Sequence, residues 1–120
     1  MKILIVDDSR TMRMIIRRTM KEAGFGGHDV VEAANGVEAL DVIDKEVPDL
    51  ILSDWNMPQM TGIQLLEKLK GKNSKIPFGF VTSEGTDEMK GRASSLGARF
   101  YLTKPFTADA FAEQLQKFIK

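Results

Sequence analysis

The chain has 120 residues, 42% of them hydrophobic, the size and apolar content of one domain with its own core. Seventeen basic residues balance seventeen acidic ones, so no global field recruits nucleic acid or an anionic membrane and any electrostatic function is local. With no cysteine there is no disulfide framework, thiolate catalysis or zinc-thiolate site, which is compatible with the cytoplasm expected for this protein.

In chain order, Ile3-Leu4-Ile5-Val6 is a continuous apolar run closed by Asp7 and Asp8. It is too short for a signal peptide or a membrane span and reads as a strand buried on both faces. Arg10 to Ala23 has helical period, with Met12, Ile15, Ile16, Thr19, Met20 and Ala23 on one side. Arg10, Arg13, Arg17 and Lys21 lie opposite, a stripe expected to be a solvated face, with docking of an acidic partner or a phosphodonor domain as the alternative. Gly24-Phe25-Gly26-Gly27 reads as a cap and turn, and His28, the one histidine, as surface.

Asp29 to Ala33 is a weaker strand, followed by a helix over Val37 to Lys45. Leu50-Ile51-Leu52 is again a buried strand, with Asp54 just beyond it and a helix from Ile63 to Lys70. Phe78-Gly79-Phe80-Val81 is the fourth strand, its Gly79 read as room left for Phe78 and Phe80. A helix over Asp87 to Leu96 carries Gly91 in its middle and ends at Gly97. Ala98 to Leu102 is the fifth strand, and the last helix, Ala108 to Ile119, has Thr107 as N-cap and Phe106 with Phe111 as a hydrophobic staple. Its buried face is Phe111, Leu115, Phe118 and Ile119.

This (βα)5 alternation predicts a single α/β domain over residues 1–120, a doubly wound five-stranded parallel sheet of the flavodoxin-like kind, strand order 2-1-3-4-5. Ligands in such sheets bind beyond the C-terminal ends of the strands, where strand order reverses. Asp7, Asp8 and Asp54 stand there. Crowded carboxylates repel unless a cation compensates, and an oxygen-only set suits Mg²⁺. A carboxylate is also a nucleophile for phosphoryl transfer, and Asp54 is the better candidate. The bland alternative is that these aspartates only end strands and cap helices. Thr82 and Lys104, at two further strand ends, argue against it, because a hydroxyl and an ammonium beside the carboxylates can take phosphoryl oxygens. Pro105 can aim Lys104 through the one type of bond for which a cis peptide is inexpensive.

These residues give the chain a resemblance to the response-regulator receiver family over essentially its whole length. It is carried by Val6-Asp7-Asp8, Asp54 with Met57-Pro58 and Gly62, Val81-Thr82 and Lys104-Pro105-Phe106. Ser53 to Pro58, Thr11-Met12-Arg13 and Thr107 look most similar to the chemotaxis branch. The resemblance implies that Asp54 is the phosphorylation site and that Asp8, Asp54 and the Asn56 carbonyl bind Mg²⁺, with Asp7 helping through water. It implies that Thr82, Ser83 and Lys104 hold the phosphoryl group, that Tyr101 is the switch aromatic, and that Asn56 and Glu84 tune hydrolysis towards a short lifetime. It also implies output through a surface from about Asp87 to Lys120. The implied partners of this monomer are a chemotaxis-type sensor histidine kinase and a flagellar motor switch protein or other output protein, with or without a dedicated phosphatase. A paralogue serving as phosphate sink or binding a non-flagellar partner is the near alternative.

Thr61, before Gly62 where the family usually has Asp, is expected to weaken a helix cap. The enzyme rival is a Mg²⁺-dependent aspartyl-phosphate phosphatase, but those enzymes carry Asp-x-Asp after strand one, and here the aspartates are adjacent.

Overall fold

A computed structural model describes residues 1–118. The elements run β1 (Lys2–Val6), α1 (Arg10–Glu22), β2 (Asp29–Ala33), α2 (Gly36–Glu46), β3 (Leu50–Ser53), α3 (Gly62–Gly71), β4 (Phe78–Thr82), α4 (Asp87–Ser95), β5 (Phe100–Thr103) and α5 (Ala108–Leu115). All strand pairs are parallel, in the order β2-β1-β3-β4-β5, the (βα)5 sheet expected from the alternation of apolar runs and helical periods. No described helix is long and apolar enough to cross a membrane.

The continuous apolar runs are explained by helices on both faces of the sheet. Leu4, Val6, Ile51, Phe78 and Phe80 point to the side covered by α2, α3 and α4, where they meet Ala39, Ile43, Leu65, Leu66, Leu69 and Ala93. Ile3, Ile5, Leu50, Leu52, Val81 and Leu102 point the other way, onto Ile16 and Met20 of α1 and Phe111 and Leu115 of α5. Each such side chain contributes about 1.5–3 kcal/mol by leaving water, so both faces are strongly held.

Local signals set the boundaries. Ser9, Asn35, Thr61, Thr86 and Thr107 each cap a helix by accepting an amide hydrogen bond on the side chain. Thr61 does not weaken its cap: it forms a full capping box with Gln64, each side chain bonding the other's backbone, so the hydroxyl replaces the carboxylate usual there. Gly24 and Gly97, at φ 94° and 97°, end α1 and α4 in paired backbone bonds, Phe25 to Met20 and Ala98 to Ala93. The cap on α4 consumes Ala98, and β5 therefore begins at Phe100 rather than Ala98.

Four expectations are corrected by the packing. Ile15 is 40% exposed, because α1 turns only Ile16, Thr19 and Met20 fully inward. Helix α5 stops at Leu115, where Phe118 bonds back to the Leu115 carbonyl in a tighter turn and lays its ring on Phe100 at 5.6 Å; Ile119 lies outside the described residues. The space at Gly79 is filled by the Phe100 ring from the next strand, not by Phe78 or Phe80: a Cβ there would lie 2.2 Å from that ring. His28 is half-buried beside Phe25 and Val30 at the foot of α1, where a surface position was expected.

Candidate functional site

The order of the sheet makes β1 and β3 the central neighbours from which the chain winds in opposite directions, and their C-terminal ends carry the carboxylates. Asp7 follows β1 directly. Its amide donates to the Ala33 carbonyl at 3.1 Å, which seats it at the rim of the sheet. The residue is 1% exposed, and its carboxylate is held by the Ser9 amide at 2.9 Å and the Lys104 ammonium at 2.9 Å. Asp8, one residue on, points outward and is exposed. Asp54, after β3, is half-buried, with one oxygen accepting from the Trp55 amide at 2.8 Å and the other 3.6 Å from Lys104 Nζ.

Oxygen atoms of Asp7, Asp8 and Asp54 all lie within 4.8 Å of one another. The Lys104 ammonium reaches two of them, Asp7 and Asp54, so acidic groups outnumber it at the site. Burial pushes the Asp7 carboxyl above its ordinary value, against the hydrogen bond from Lys104, and the neighbouring Asp54 charge acts in the same direction as burial. The donor set is all oxygen, anionic and open on the Asp8 side, which fits Mg²⁺ as the fold family implies.

The loop after β3 is shaped by close contacts. Gly62 N donates to the Trp55 carbonyl at 2.8 Å, and a Cβ at Gly62 would come 2.1 Å from the Asp54 carbonyl oxygen, so only glycine lets α3 begin beneath the site. Trp55 and Met57 are buried and anchor the loop, with Trp55 5.1 Å from the Phe80 ring. Asn56 is exposed, and its amide donates to Glu84 Oε1 at 2.6 Å, bridging the loops after β3 and β4.

Thr82 ends β4 fully buried, and its carbonyl accepts from the Lys104 amide at 2.8 Å, which ties the hydroxyl-bearing and ammonium-bearing strand ends together. The Lys104-Pro105 peptide is cis. Ser83 follows Thr82 and is exposed. Glu84 connects three of the residues singled out from the sequence. Its amide donates to Thr82 Oγ1 at 3.3 Å, its carbonyl accepts from the Tyr101 hydroxyl, and its side chain accepts from Asn56. Tyr101 packs on Phe80 at 5.6 Å, and burial, with the charge of Glu84 next, raises its phenol above the ordinary value.

Eight of the nine residues expected at the site thus stand at or just beyond the C-terminal ends of the strands, and Tyr101, inside β5, reaches that end through its hydroxyl bond to the Glu84 carbonyl. Sequence reasoning missed Arg13 and Glu32. Arg13 is not part of a solvated stripe: its guanidinium donates to the Asp7 carbonyl and to Glu32 Oε1 at 2.7 Å. The one sign in the sequence was a polar Glu inside β2, which an exposed strand position explains equally well.

A family model for the response regulator receiver domain matches residues 3–116, and the chain belongs to that family. Among curated relatives, the chemotaxis protein CheY1 of Helicobacter pylori is 40% identical over 119 residues, covering 97% of this chain and 94% of that protein. A CheY homolog of Campylobacter jejuni is 41% identical, covering 97% of this chain and 90% of its own length. Among solved structures, the chemotaxis protein CheY4 of Vibrio cholerae superposes with a TM-score of 0.85 at 34% identity, over 98% of each chain. The chain is thus a receiver domain similar to chemotaxis response regulators, and the aspartyl-phosphate phosphatases are not its family.

Proposed function

We propose that this chain is a single-domain response regulator over residues 1–120, in which Asp54 accepts a phosphoryl group from a phosphohistidine of a CheA-like sensor kinase. An Asp54 oxygen attacks phosphorus, a P–O bond forms as the P–N bond breaks, and the imidazole nitrogen leaves with the bonding pair and takes up a proton. The product is an acyl phosphate on Asp54. Water attacking the same phosphorus releases inorganic phosphate and restores the carboxylate. Asp8, Asp54 and the Asn56 carbonyl would hold Mg²⁺, with Asp7 assisting through water, and the bound ion supplies charge neutralisation for the transferring group.

The protein's own residues do the rest. The Lys104 ammonium, now shared between Asp7 and Asp54, pairs with a phosphoryl oxygen, and the Thr82 hydroxyl and the neighbouring Ser83 donate to the others. Asn56 and Glu84, bonded across the mouth of the site, govern access of hydrolytic water and tune the phosphoryl lifetime. Movement of Thr82 towards the phosphoryl group withdraws the hydroxyl that the Glu84 amide now meets. That change passes through Glu84 to Tyr101, and so to the face formed by α4, β5 and α5. The partner of that face is a flagellar motor switch protein or another output protein, and the protein acts as a cytoplasmic monomer.

The observation that carries this reading is the convergence of oxygens of Asp7, Asp8 and Asp54 within 4.8 Å of one another, with the Lys104 ammonium 2.9 Å from Asp7 and 3.6 Å from Asp54. Incubation with acetyl phosphate and Mg²⁺, followed by intact-mass measurement, tests it. The wild type should gain one phosphoryl group labile to base and to hydroxylamine, and Asp54→Asn should gain none. An equal adduct on Asp54→Asn would remove Asp54 from its role.

A further inference from the structure

We propose that Arg13 is a positioning residue for the metal-binding end of β1, holding the Asp7–Asp8 peptide in the plane that aims the Asp8 carboxylate at the ion. The inference rests on the reading of Asp7, Asp8 and Asp54 as a Mg²⁺ site. Every other polar group of Asp7 is already committed: its amide to Ala33, one carboxylate oxygen to Ser9, the other to Lys104. Asp7 is therefore immobile, while Asp8 beyond it is exposed. The remaining freedom between the two is rotation of the peptide that joins them. Its carbonyl oxygen, at the end of the sheet, takes its hydrogen bond from a side chain, the Nη1 group of Arg13.

Arg13 is itself fixed. Its Nε donates to Glu32 Oε1 at 2.7 Å, and the other Glu32 oxygen accepts from Arg17 at 2.8 Å, so the edge strand β2 holds the guanidinium from behind. The Arg13 side chain is 15% exposed, less than its partner Glu32 at 31% and far less than Arg17 at 47%. A planar guanidinium presents separate N–H groups in fixed directions, and here Nε and Nη1 serve two acceptors in one rigid group. A lysine ammonium can meet one of them but lacks the fork that sets the angle between them. The chain from Glu32 through Arg13 to the Asp7 carbonyl has the form of an outer-shell support, in which groups that touch no metal orient those that do.

Loss of such supports typically lowers metal affinity about 10- to 100-fold. Because Arg13 grips a peptide and not a ligand oxygen, Arg13→Ala should lie near the low end, weakening Mg²⁺ binding about tenfold. Glu32→Gln should weaken it less. The double variant should be no worse than Arg13→Ala alone, since Glu32 acts through Arg13. Arg13→Lys should not restore wild-type affinity. Arg17→Ala, which also removes a bond to Glu32 but does not reach Asp7, should bind Mg²⁺ within about twofold of wild type.

The experiment is a Mg²⁺ titration of the whole chain by calorimetry, with amide NMR spectra of the metal-free proteins. In the metal-free spectra the Asp8 and Ser9 amides should shift in Arg13→Ala and stay in place in Arg17→Ala, a local reading that a general loss of stability does not produce. If Arg13→Ala fails to fold, Arg13→Gln, which keeps one donor, and Glu32→Gln carry the same comparison. Wild-type affinity in the Arg13 variants, or equal losses in Arg13→Ala and Arg17→Ala, would overturn the positioning role. A wild type that binds no Mg²⁺ would instead overturn the reading beneath it.

Discussion

At the residue scale, Gly79 shows how a side chain on one strand can dictate the residue on the next. The Phe100 ring lies where a Cβ on Gly79 would sit, at 2.2 Å. Gly79→Ala is therefore expected to destabilise the fold by about 1–3 kcal/mol through overpacking, although alanine suits a strand better than glycine. Urea denaturation measures the loss, and the double variant Gly79→Ala with Phe100→Leu should recover part of it. A wild-type midpoint for Gly79→Ala would refute the packing account. Asp7 offers a second prediction, in metal-free buffer. Its folded-state value lies above the ordinary 3.8 because burial outweighs the bonds from Lys104 and Ser9. A group whose folded value is raised holds its proton more tightly in the native state. Its contribution is thus greatest at low pH and falls as pH rises from about 3.8 through the folded value. Asp7→Asn removes that slope, so its stability relative to wild type should grow across this window and then level off. Thermal melts of both proteins at a series of pH values provide the comparison, and a constant difference would contradict the burial effect.

At the scale of elements, α4 and α5 differ in what holds them. Helix α4 fully buries Ala93 alone, whereas α5 fully buries Phe111 and Leu115 and is stapled by Phe106 against Phe111 at 5.4 Å. Gly91 adds to the contrast, for a Cβ there would meet nothing within 4 Å. The glycine does not admit a neighbouring side chain. It weakens the helix by about 1 kcal/mol relative to alanine with no packing reason. Helix α4 should therefore exchange its amide hydrogens faster than α5 in the free protein and gain protection when beryllofluoride mimics the phosphoryl group. Gly91→Ala should slow exchange in α4 before activation. Equal and unresponsive protection in the two helices would refute a switch that works by moving α4.

At the scale of the whole molecule, a ligand that binds only the folded state stabilises all of it. Mg²⁺ at ten times its dissociation constant should add about 1.4 kcal/mol, a rise of a few degrees in melting temperature. Trp55 provides a second readout in the same titration. It is 8% exposed, lies against Phe80, and its amide is bonded to Asp54, so ion binding at the carboxylates should alter its fluorescence. Asp8→Ala should abolish both responses. A melting temperature that ignores saturating Mg²⁺ would rule out binding to the folded protein, and a raised melting temperature with an unchanged Trp55 signal would place the ion elsewhere.

The sequence by itself determined the architecture and which residues the strand ends would bring near one another. Apolar runs long enough to need cover on both faces, alternating with helical periods, admit few arrangements other than a parallel doubly wound sheet, and strand ends are marked where those runs stop. Asp7, Asp8, Asp54, Thr82 and Lys104 were legible because each stands at such a stop. The tertiary structure alone decided which of two adjacent aspartates is buried, that Phe100 claims the space at Gly79, and that β5 starts after a helix cap has used Ala98. It alone brought the Arg13 guanidinium onto the Asp7 carbonyl and Glu32. The reason is the same in each case. Periodicity reports the face on which a side chain lies, but a hydrogen bond or a clash depends on which distant residue arrives opposite it. That is set by register and helix placement, and no local pattern encodes either.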